Sequence, residues 1–264
     1  MKLTIGTTMI SFSATFRSRA SRRVSLRGCH ALCAFAMLAL LLPSRLAAAD
    51  ETAEALKQRI VAAARTVTAN DYAFTRTARN ETRDETKTEK RVVIERFDPT
   101  KPADNRWTLV SINGQPPSAE EQSKHRKNQA ERRVANYGRI AEYFTVPATL
   151  TESQGRKVLK FEKVPKGSVV INDADVSANA IGEATINQTG ETPFVEQMRF
   201  TSTKPTRVKL VAVVQRIEVT TRYRMMPNGK PVPVEQVTEM SGSMMGKQGQ
   251  INTSVTYSDH RAVR

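Results

Sequence analysis

The chain has 264 residues, of which 39% are hydrophobic and 25% charged, and 41 Lys and Arg against 26 Asp and Glu give a net charge of +15. Both cysteines, Cys29 and Cys33, lie in a basic N-terminal segment that carries no acid before Asp50, and the chain has three histidines. Beyond that segment the sequence offers no disulfide, no thiolate chemistry and no His-rich metal site.

The first 49 residues have the pattern of a cleaved secretory signal. They hold seven Lys or Arg, an apolar run at 31–42 and three alanines that end at Ala49. This order predicts cleavage between Ala49 and Asp50. The apolar run is shorter than the ~20 residues of a membrane-spanning helix, which disfavours an anchor. The stretch at 21–27 resembles a twin-arginine motif, so twin-arginine export stays open beside the favoured Sec route.

Cleavage there would leave 215 residues with 34 Lys and Arg against 26 Asp and Glu, a net charge of +8. That length suits one domain, 50–264, with a sizeable core. In an exported protein, a basic balance favours lipid, an anionic membrane surface or an envelope protein as the partner. We therefore predict a periplasmic protein with no nucleic-acid partner.

The first half of this chain predicts one helix and three strands. An apolar stripe at helical spacing, from Leu56 to Val67, predicts a helix over 50–70. Alternating side chains predict strands over 71–80, 86–97 and 106–112, with a turn at 81–84 and a loop at 98–102.

A polar helix is predicted over 119–134. Ser118 suits its N-cap, acids come first and bases last, and apolar residues are scarce. We expect a solvated helix that buries little and docks loosely, with a nucleic-acid-binding helix as the alternative. Residues 135–144 are predicted as a short helix or loop that packs on the sheet.

The second half is predicted to be mostly strand. Alternation predicts strands over 158–164, 181–187 and 194–200, with a loop at 168–179. The turn at 227–230, with Asn228 and Gly229, predicts a hairpin whose return strand ends at Met240. A flexible loop at 241–250 and a last strand over 251–257 follow.

The longest strand pattern runs from Leu210 to Met226. Apolar residues fall on one parity, and Arg216, Glu218 and Arg222 fall on the other. The run exceeds the usual strand of roughly 5–6 residues, so we expect a bulge near Gln215 or Thr221. A long strand with one wet face needs an antiparallel sheet.

Catalytic motifs are missing from the sequence. It has no Gly-x-Ser-x-Gly, phosphate loop or His-Glu-x-x-His, and His125 and His260 lie far apart. We predict a protein that is not an enzyme and needs no cofactor and no metal.

Binding of an apolar ligand fits the long strand better than catalysis does. Methionines adapt to varied apolar shapes, and six lie between Met198 and Met245. A curved sheet under a helix can leave a gap that holds lipid, while a filled core of the same residues is the alternative. The candidate lipid-binding residues are Val211, Val213, Ile217, Val219, Tyr223, Met225, Met198 and Phe200.

Two stretches resemble a known group of proteins. Residues 97–117, with Asp98-Pro99 and Arg106-Trp107-Thr108-Leu109, and the closing Tyr257-Ser258-Asp259 are similar to a group of uncharacterised exported proteins of proteobacteria. That group resembles in architecture the periplasmic lipoprotein carriers of the LolA/LolB type. The resemblance implies an unclosed barrel of about eleven strands, helices that plug its mouth and a cavity for acyl chains. It transfers no carrier motif residue to this chain.

These patterns predict a mainly β (α+β) fold. Its long-stranded antiparallel sheet would curve into an unclosed barrel, with an N-terminal helix and one inserted polar helix. The predicted function is a periplasmic, non-enzymatic binding protein for lipid or lipoprotein acyl chains. The alternative is a cell-envelope assembly or scaffold protein without a small-molecule ligand.

Overall fold

The computed structural model describes residues 51–127, 129, 134–171, 174–208 and 212–263. The predicted signal segment, the cleavage site at Ala49 and Asp50, and the candidate residue Val211 lie outside these ranges. The α-helices are α1 (Ala53–Arg65), α2 (Ala119–Lys127) and α3 (Ile140–Tyr143), and short 3-10 helices span Ala103–Asn105, Tyr137–Arg139 and Ser177–Asn179. The strands are β1 (Tyr72–Asp84), β2 (Thr88–Phe97), β3 (Trp107–Ile112), β4 (Thr149–Ser153), β5 (Arg156–Phe161), β6 (Val170–Ile171), β7 (Ala174–Asp175), β8 (Ala180–Asn187), β9 (Phe194–Ser202), β10 (Thr206–Val208), β11 (Ala212–Met225), β12 (Pro231–Met244) and β13 (Lys247–Ala262).

One antiparallel sheet holds eleven of these strands. Its order is β3-β2-β1-β13-β12-β11-β9-β8-β5-β4, and β10 pairs with β11 at one end of that strand. The end strands β3 and β4 do not pair with each other in the described chain, so the sheet is open. The predicted mainly β architecture, an unclosed antiparallel sheet of about eleven strands with few helices, is confirmed.

Helix α1 begins at a capped N-terminus. The Thr52 hydroxyl accepts a hydrogen bond from the Ala55 N–H at 3.2 Å, Glu54 lies in the first turn and Arg65 in the last. These charges complement the helix dipole. The predicted apolar stripe is buried at Leu56, Ile60 and Ala64, so α1 packs on the sheet through that face.

Strand β11 contains the bulge that its length predicted. Its pairing with β12 shifts register between Val214 and Arg216, which leaves Gln215 as the extra residue. A bulge reverses the alternation on its far side. Val214 is therefore buried in the core together with Ile217, whereas Val213, predicted to face inward, is only half-buried and outside that core.

Three loop predictions in the chain were wrong. Residues 81–84 belong to β1, and residues 168–179 contain the short hairpin β6–β7. The predicted flexible loop at 241–250 is mostly strand, because β12 and β13 pair up to Met244 and Lys247. The two residues between them, Met245 and Gly246, have φ of 50° and 82°, as a two-residue hairpin turn requires.

The outer face of the sheet is charged and wet. Arg199 pairs with Glu183, Arg222 with Glu235, Arg156 with Glu196, and Arg216 with Glu218. The predicted outward direction of the polar set on β11 is confirmed by Arg216 and Arg222, whose side chains are mostly exposed. The apolar residues of the same strands pack on the opposite face, called the inner face below.

Candidate functional site

The inner face brings most of the candidate lipid-binding residues together. Val219 of β11 is paired with Phe200 of β9, and Thr221 with Met198. Paired residues share a face of the sheet, so β9 and β11 contribute to one surface. The larger of two apolar cores buries four of them, Ile217, Tyr223, Met198 and Phe200. Val219 and Met225 are half-buried against it. Val213 lies outside this set.

Two helical segments cover that surface. We call them the plug: α1 together with residues 137–144. The Tyr143 ring stands edge-on to Phe200 with centroids 4.9 Å apart, and Tyr137 meets Tyr223 in the same way at 5.2 Å. Aromatic side chains of the protein itself therefore lie directly over two of the candidate residues. The prediction that residues 135–144 pack on the sheet is confirmed.

Hydrogen bonds fix the plug at two points. The buried Tyr137 hydroxyl accepts a hydrogen bond from the Val195 N–H of β9 at 2.8 Å. Burial raises the pKa of Tyr137 well above its usual value, so this hydroxyl stays neutral. Lys57 of α1 is buried and donates to the Val146 carbonyl at 2.8 Å and to Glu54 at 3.0 Å. The contact with Val146 ties α1 to the segment that follows α3.

The inner face is not apolar throughout. Thr221 pairs with Gln236, Val219 with Thr238, and Thr238 with Thr253, which places these polar residues on the same face as Val219. All are half-buried, and the Thr253 hydroxyl donates to the Asn80 amide oxygen at 2.9 Å. A polar stripe therefore separates the apolar surface under the plug from the other half of the sheet.

A second, smaller core lies beyond that stripe. Its aromatic members come from β1, β2, β3 and β13: Phe74, Phe97, Trp107 and Tyr257. The Phe74 ring lies 5.1 Å from Phe97, 5.8 Å from Trp107 and 5.6 Å from Tyr257, measured between centroids. These four rings form the aromatic cluster. The sequence alone predicted no role for this cluster.

A buried ion pair borders the aromatic cluster. Glu95 faces inward between Val93 and Phe97, with a side chain only 3% exposed, and its carboxylate meets the Arg76 guanidinium at 2.5 Å. Arg76 also hydrogen-bonds Tyr257, although burial raises the pKa of that phenol more than Arg76 lowers it. The alternation pattern indicates this buried ion pair, since Glu95 and Arg76 occupy inward positions of paired strands.

Helix α2 lies over this ion pair and buries little, as predicted, since His125 is the one buried residue of its described range. The His125 Nε2 lies 2.8 Å from a Glu95 carboxylate oxygen, and both side chains are buried. Gln129 binds both the Trp107 N–H and the Trp107 carbonyl, and its amide lies 3.2 Å from His125 Nδ1. The helix ends at Lys127, and Val134 is not helical, so the predicted span of 119–134 was too long. Ser118 caps it as predicted, and exchanges hydrogen bonds with Glu121.

A small pocket lies between the plug and the aromatic cluster. Its volume is about 10 Å³, near the lower limit for one water molecule, and its lining includes Val67, Tyr72, Tyr137 and His260. Among the described residues, neither ring nitrogen of His260 has a hydrogen-bond partner of normal geometry, although the Pro233 carbonyl lies near enough to act against the lowering of its pKa. Burial, with help from the Arg224 charge, lowers the pKa of His260. This pocket is far too small for an acyl chain.

The described part of the chain contains no candidate metal site and no candidate membrane-spanning helix. No group of three or more His, Cys, Asp or Glu side chains in those ranges could hold a metal ion. Of the helices described there, none is both long and apolar enough to cross a membrane.

The likeness to known proteins comes from solved structures. No family model and no curated protein matches the sequence. Among solved structures, a crystal structure of a LolA superfamily protein from Nitrosomonas europaea is similar to this chain, with 15% sequence identity, 81% of this chain and 94% of that chain covered, and a TM-score of 0.31. At that TM-score the likeness supports no conclusion on fold or function, and the fold described above rests on the geometry of the chain.

Proposed function

We propose that the protein is a non-enzymatic, exported binding protein for acyl chains of lipids or lipoproteins. The ligand would lie on the inner face around Ile217, Val219, Tyr223, Met198 and Phe200, in the place of residues 137–144 of the plug. One observation carries the proposal: Tyr137 and Tyr143 of the plug stand over Tyr223 and Phe200, so an apolar segment of the chain already covers the candidate surface.

The free energy of exposing plug side chains is comparable to that gained by burying an acyl chain. Exposing the four buried side chains of residues 137–144, Tyr137, Ile140, Tyr143 and Phe144, would cost about 6–12 kcal/mol, at about 1.5–3 kcal/mol each. An acyl chain that buries about 15 methylenes gains about 12 kcal/mol at about 0.8 kcal/mol each. An acyl chain can therefore replace residues 137–144 of the plug, whereas a much smaller apolar ligand cannot.

The filled inner face also suits a second function. A cell-envelope assembly or scaffold protein would use the same sheet with the plug permanently closed and without a small ligand. The tight ring contacts of the plug and the small volume of the adjoining pocket favour this alternative. Mass spectra of lipid extracts from the purified protein separate the two functions, because co-purified lipid is expected only for the carrier.

The substitution Val219→Glu tests the site directly. Val219 is half-buried beneath the plug, so a glutamate there can reach water and the protein should still fold, while binding of a fluorescent fatty acid should fall at least about tenfold. Val237→Glu is the matched control, because Val237 is also a half-buried valine but pairs with Thr220 on the outer face. A wild-type protein that does not bind the probe would refute the carrier function.

A further inference from the structure

A bulge near the end of β13 turns His260 onto the inner face. The pairing of β13 with β1 shifts register opposite the step from Ala73 to Thr75, where β13 carries one residue more. Within this bulge Asp259 has a φ of 54°, a left-handed conformation that few residues other than Gly, Asn and Asp adopt. The extra residue reverses the alternation, so His260 and not Asp259 lies beside Phe74, with ring centroids 5.8 Å apart.

The imidazole placed there lacks the partners that a buried polar group needs. Both ring nitrogens are buried, and neither forms a hydrogen bond of normal geometry with a described residue. The contacts of the ring are aromatic, with Phe74 and, edge-on, with Tyr72, whose ring centroid is 6.3 Å away. Buried polar groups without a partner are rare in native structures and call for an explanation. Packing alone does not explain why a left-handed residue is followed by an unpaired histidine.

The plug closes the pocket that His260 lines. Asn136 and Tyr137 line the same small pocket, together with Val67 just after α1. The imidazole thus lies where the sheet meets the ends of both plug segments. Outward movement of Tyr137 would widen this pocket and admit water to the ring nitrogens. The same movement would break the hydrogen bond that the Tyr137 hydroxyl accepts from the Val195 N–H.

A charge on this ring would be poorly compensated. The charged and titratable groups around this end of the sheet are Tyr72, Arg224, Asp259, Tyr137 and the bonded pair of Asp71 and Lys230. Burial, followed by the like charge of Arg224, holds the pKa of His260 below its usual value. The Pro233 carbonyl and the Asp259 carboxylate act in the opposite direction without outweighing them. Water is therefore the partner that a protonated ring lacks while the plug is closed.

We propose that His260 is a pH-sensitive latch of the plug: a neutral imidazole allows the plug to close, and a protonated one favours outward movement of residues 137–144, which lets water solvate the charge. The closed form takes up the proton less readily than the open form, so a fall in pH favours opening. The consequence for ligands rests on the proposed function. Opening uncovers the inner face, so acyl chains would be bound more tightly in acidic surroundings.

Hydrogen exchange of the amides of residues 137–144 tests the latch. Wild type and His260→Gln are compared at about pH 7.5 and about pH 5, and the effect of pH on the exchange chemistry cancels when the two proteins are compared at the same pH. Between these values the ratio of wild-type to variant exchange should rise at least about threefold, because a solvated imidazole has a pKa of about 6.5 and is almost fully protonated at about pH 5.

His125→Gln is the matched control, because His125 is the other histidine of the described chain and lies on α2 against Glu95. It should keep the wild-type response to pH. The amides of β8 report opening of the sheet itself, since this strand is paired on both sides. They should stay at least about tenfold more protected than residues 137–144 at both pH values.

An uncharged fluorescent monoacylglycerol links the latch to ligand binding. Its affinity for the wild type should rise at least about threefold from about pH 7.5 to about pH 5 and stay level for His260→Gln, because affinity follows the fraction of open molecules. A protein that opens at low pH but binds no acyl chain would keep the latch and lose the proposed function.

The latch is refuted if the exchange ratio stays level while circular dichroism shows both proteins folded. It is also refuted if residues 137–144 and β8 are equally protected, because protonation then unfolds the sheet instead of releasing the plug. Acyl binding that is independent of pH, beside an unchanged exchange ratio, would retain the carrier function and lose this inference.

Discussion

Removing one hydroxyl should loosen the plug measurably. Tyr137→Phe keeps the ring that meets Tyr223 and deletes the oxygen that accepts the Val195 N–H at 2.8 Å. Tyr137 and Val195 are both fully buried, so water cannot replace the lost acceptor. A buried donor left unsatisfied costs about 1–3 kcal/mol. At about 2–4 °C per kcal/mol for a domain of this size, the melting temperature should fall by roughly 2–12 °C.

Tyr72→Phe provides the matched control for this experiment. The Tyr72 hydroxyl donates to the amide oxygen of Asn228 at 2.7 Å, and Asn228 is exposed in the hairpin turn, where water can take the place of the hydroxyl. Its loss should cost less than about 0.5 kcal/mol. Urea unfolding followed by circular dichroism compares both variants with the wild type. Equal losses in the two variants would refute the assignment of the Tyr137 hydroxyl as an anchor of the plug.

Two other predictions concern pH and export. Burial and Arg224 lower the pKa of His260 below its unfolded value of about 6.5, so the unfolded chain binds the proton first as pH falls. The wild type should therefore lose more stability than His260→Gln between about pH 7.5 and about pH 5, and parallel urea-unfolding curves would contradict this. N-terminal sequencing of protein from the periplasm should begin at or near Asp50, and a retained Met1 would reject the predicted export.

Alternation predicted the sheet because a one-sided core leaves a period of two in the sequence. Strands β1, β2, β3 and β11 were predicted in this way. The edge strand β4 was missed, since Thr149–Ser153 is mostly polar and only Leu150 packs on the core. The hairpin of β12 and β13 was also underestimated, because Met245 is unusual for a turn residue with positive φ.

A bulge changes which residues of a strand face the core, so the alternation in the sequence does not predict them on both sides of it. The sequence predicted a bend or bulge near Gln215 or Thr221, and the structure shows Gln215 as the extra residue. Since β11 carries it, Val214 and not Val213 joins Ile217 in the core. Six of the eight candidate residues lie together on the inner face: Met198, Phe200, Ile217, Val219, Tyr223 and Met225.

Partners that lie far apart in sequence were beyond prediction. His125 looked like one more polar residue on a solvated helix, and its burial depends on Glu95, which is 30 residues away. A charged side chain at an inward position is a useful signal, because burying it without a partner is costly. Glu95 and Arg76 both carry that signal, and a search for charges at inward positions would have selected them.

The plug is held mainly by apolar contacts, and this decides which ligand can open it. Exposing the four buried side chains of residues 137–144 costs about 6–12 kcal/mol. The described contacts of α2, through His125 and Gln129, are polar. Under the proposed function, an acyl chain must therefore displace Tyr137 and Tyr143 by burying a comparable apolar area.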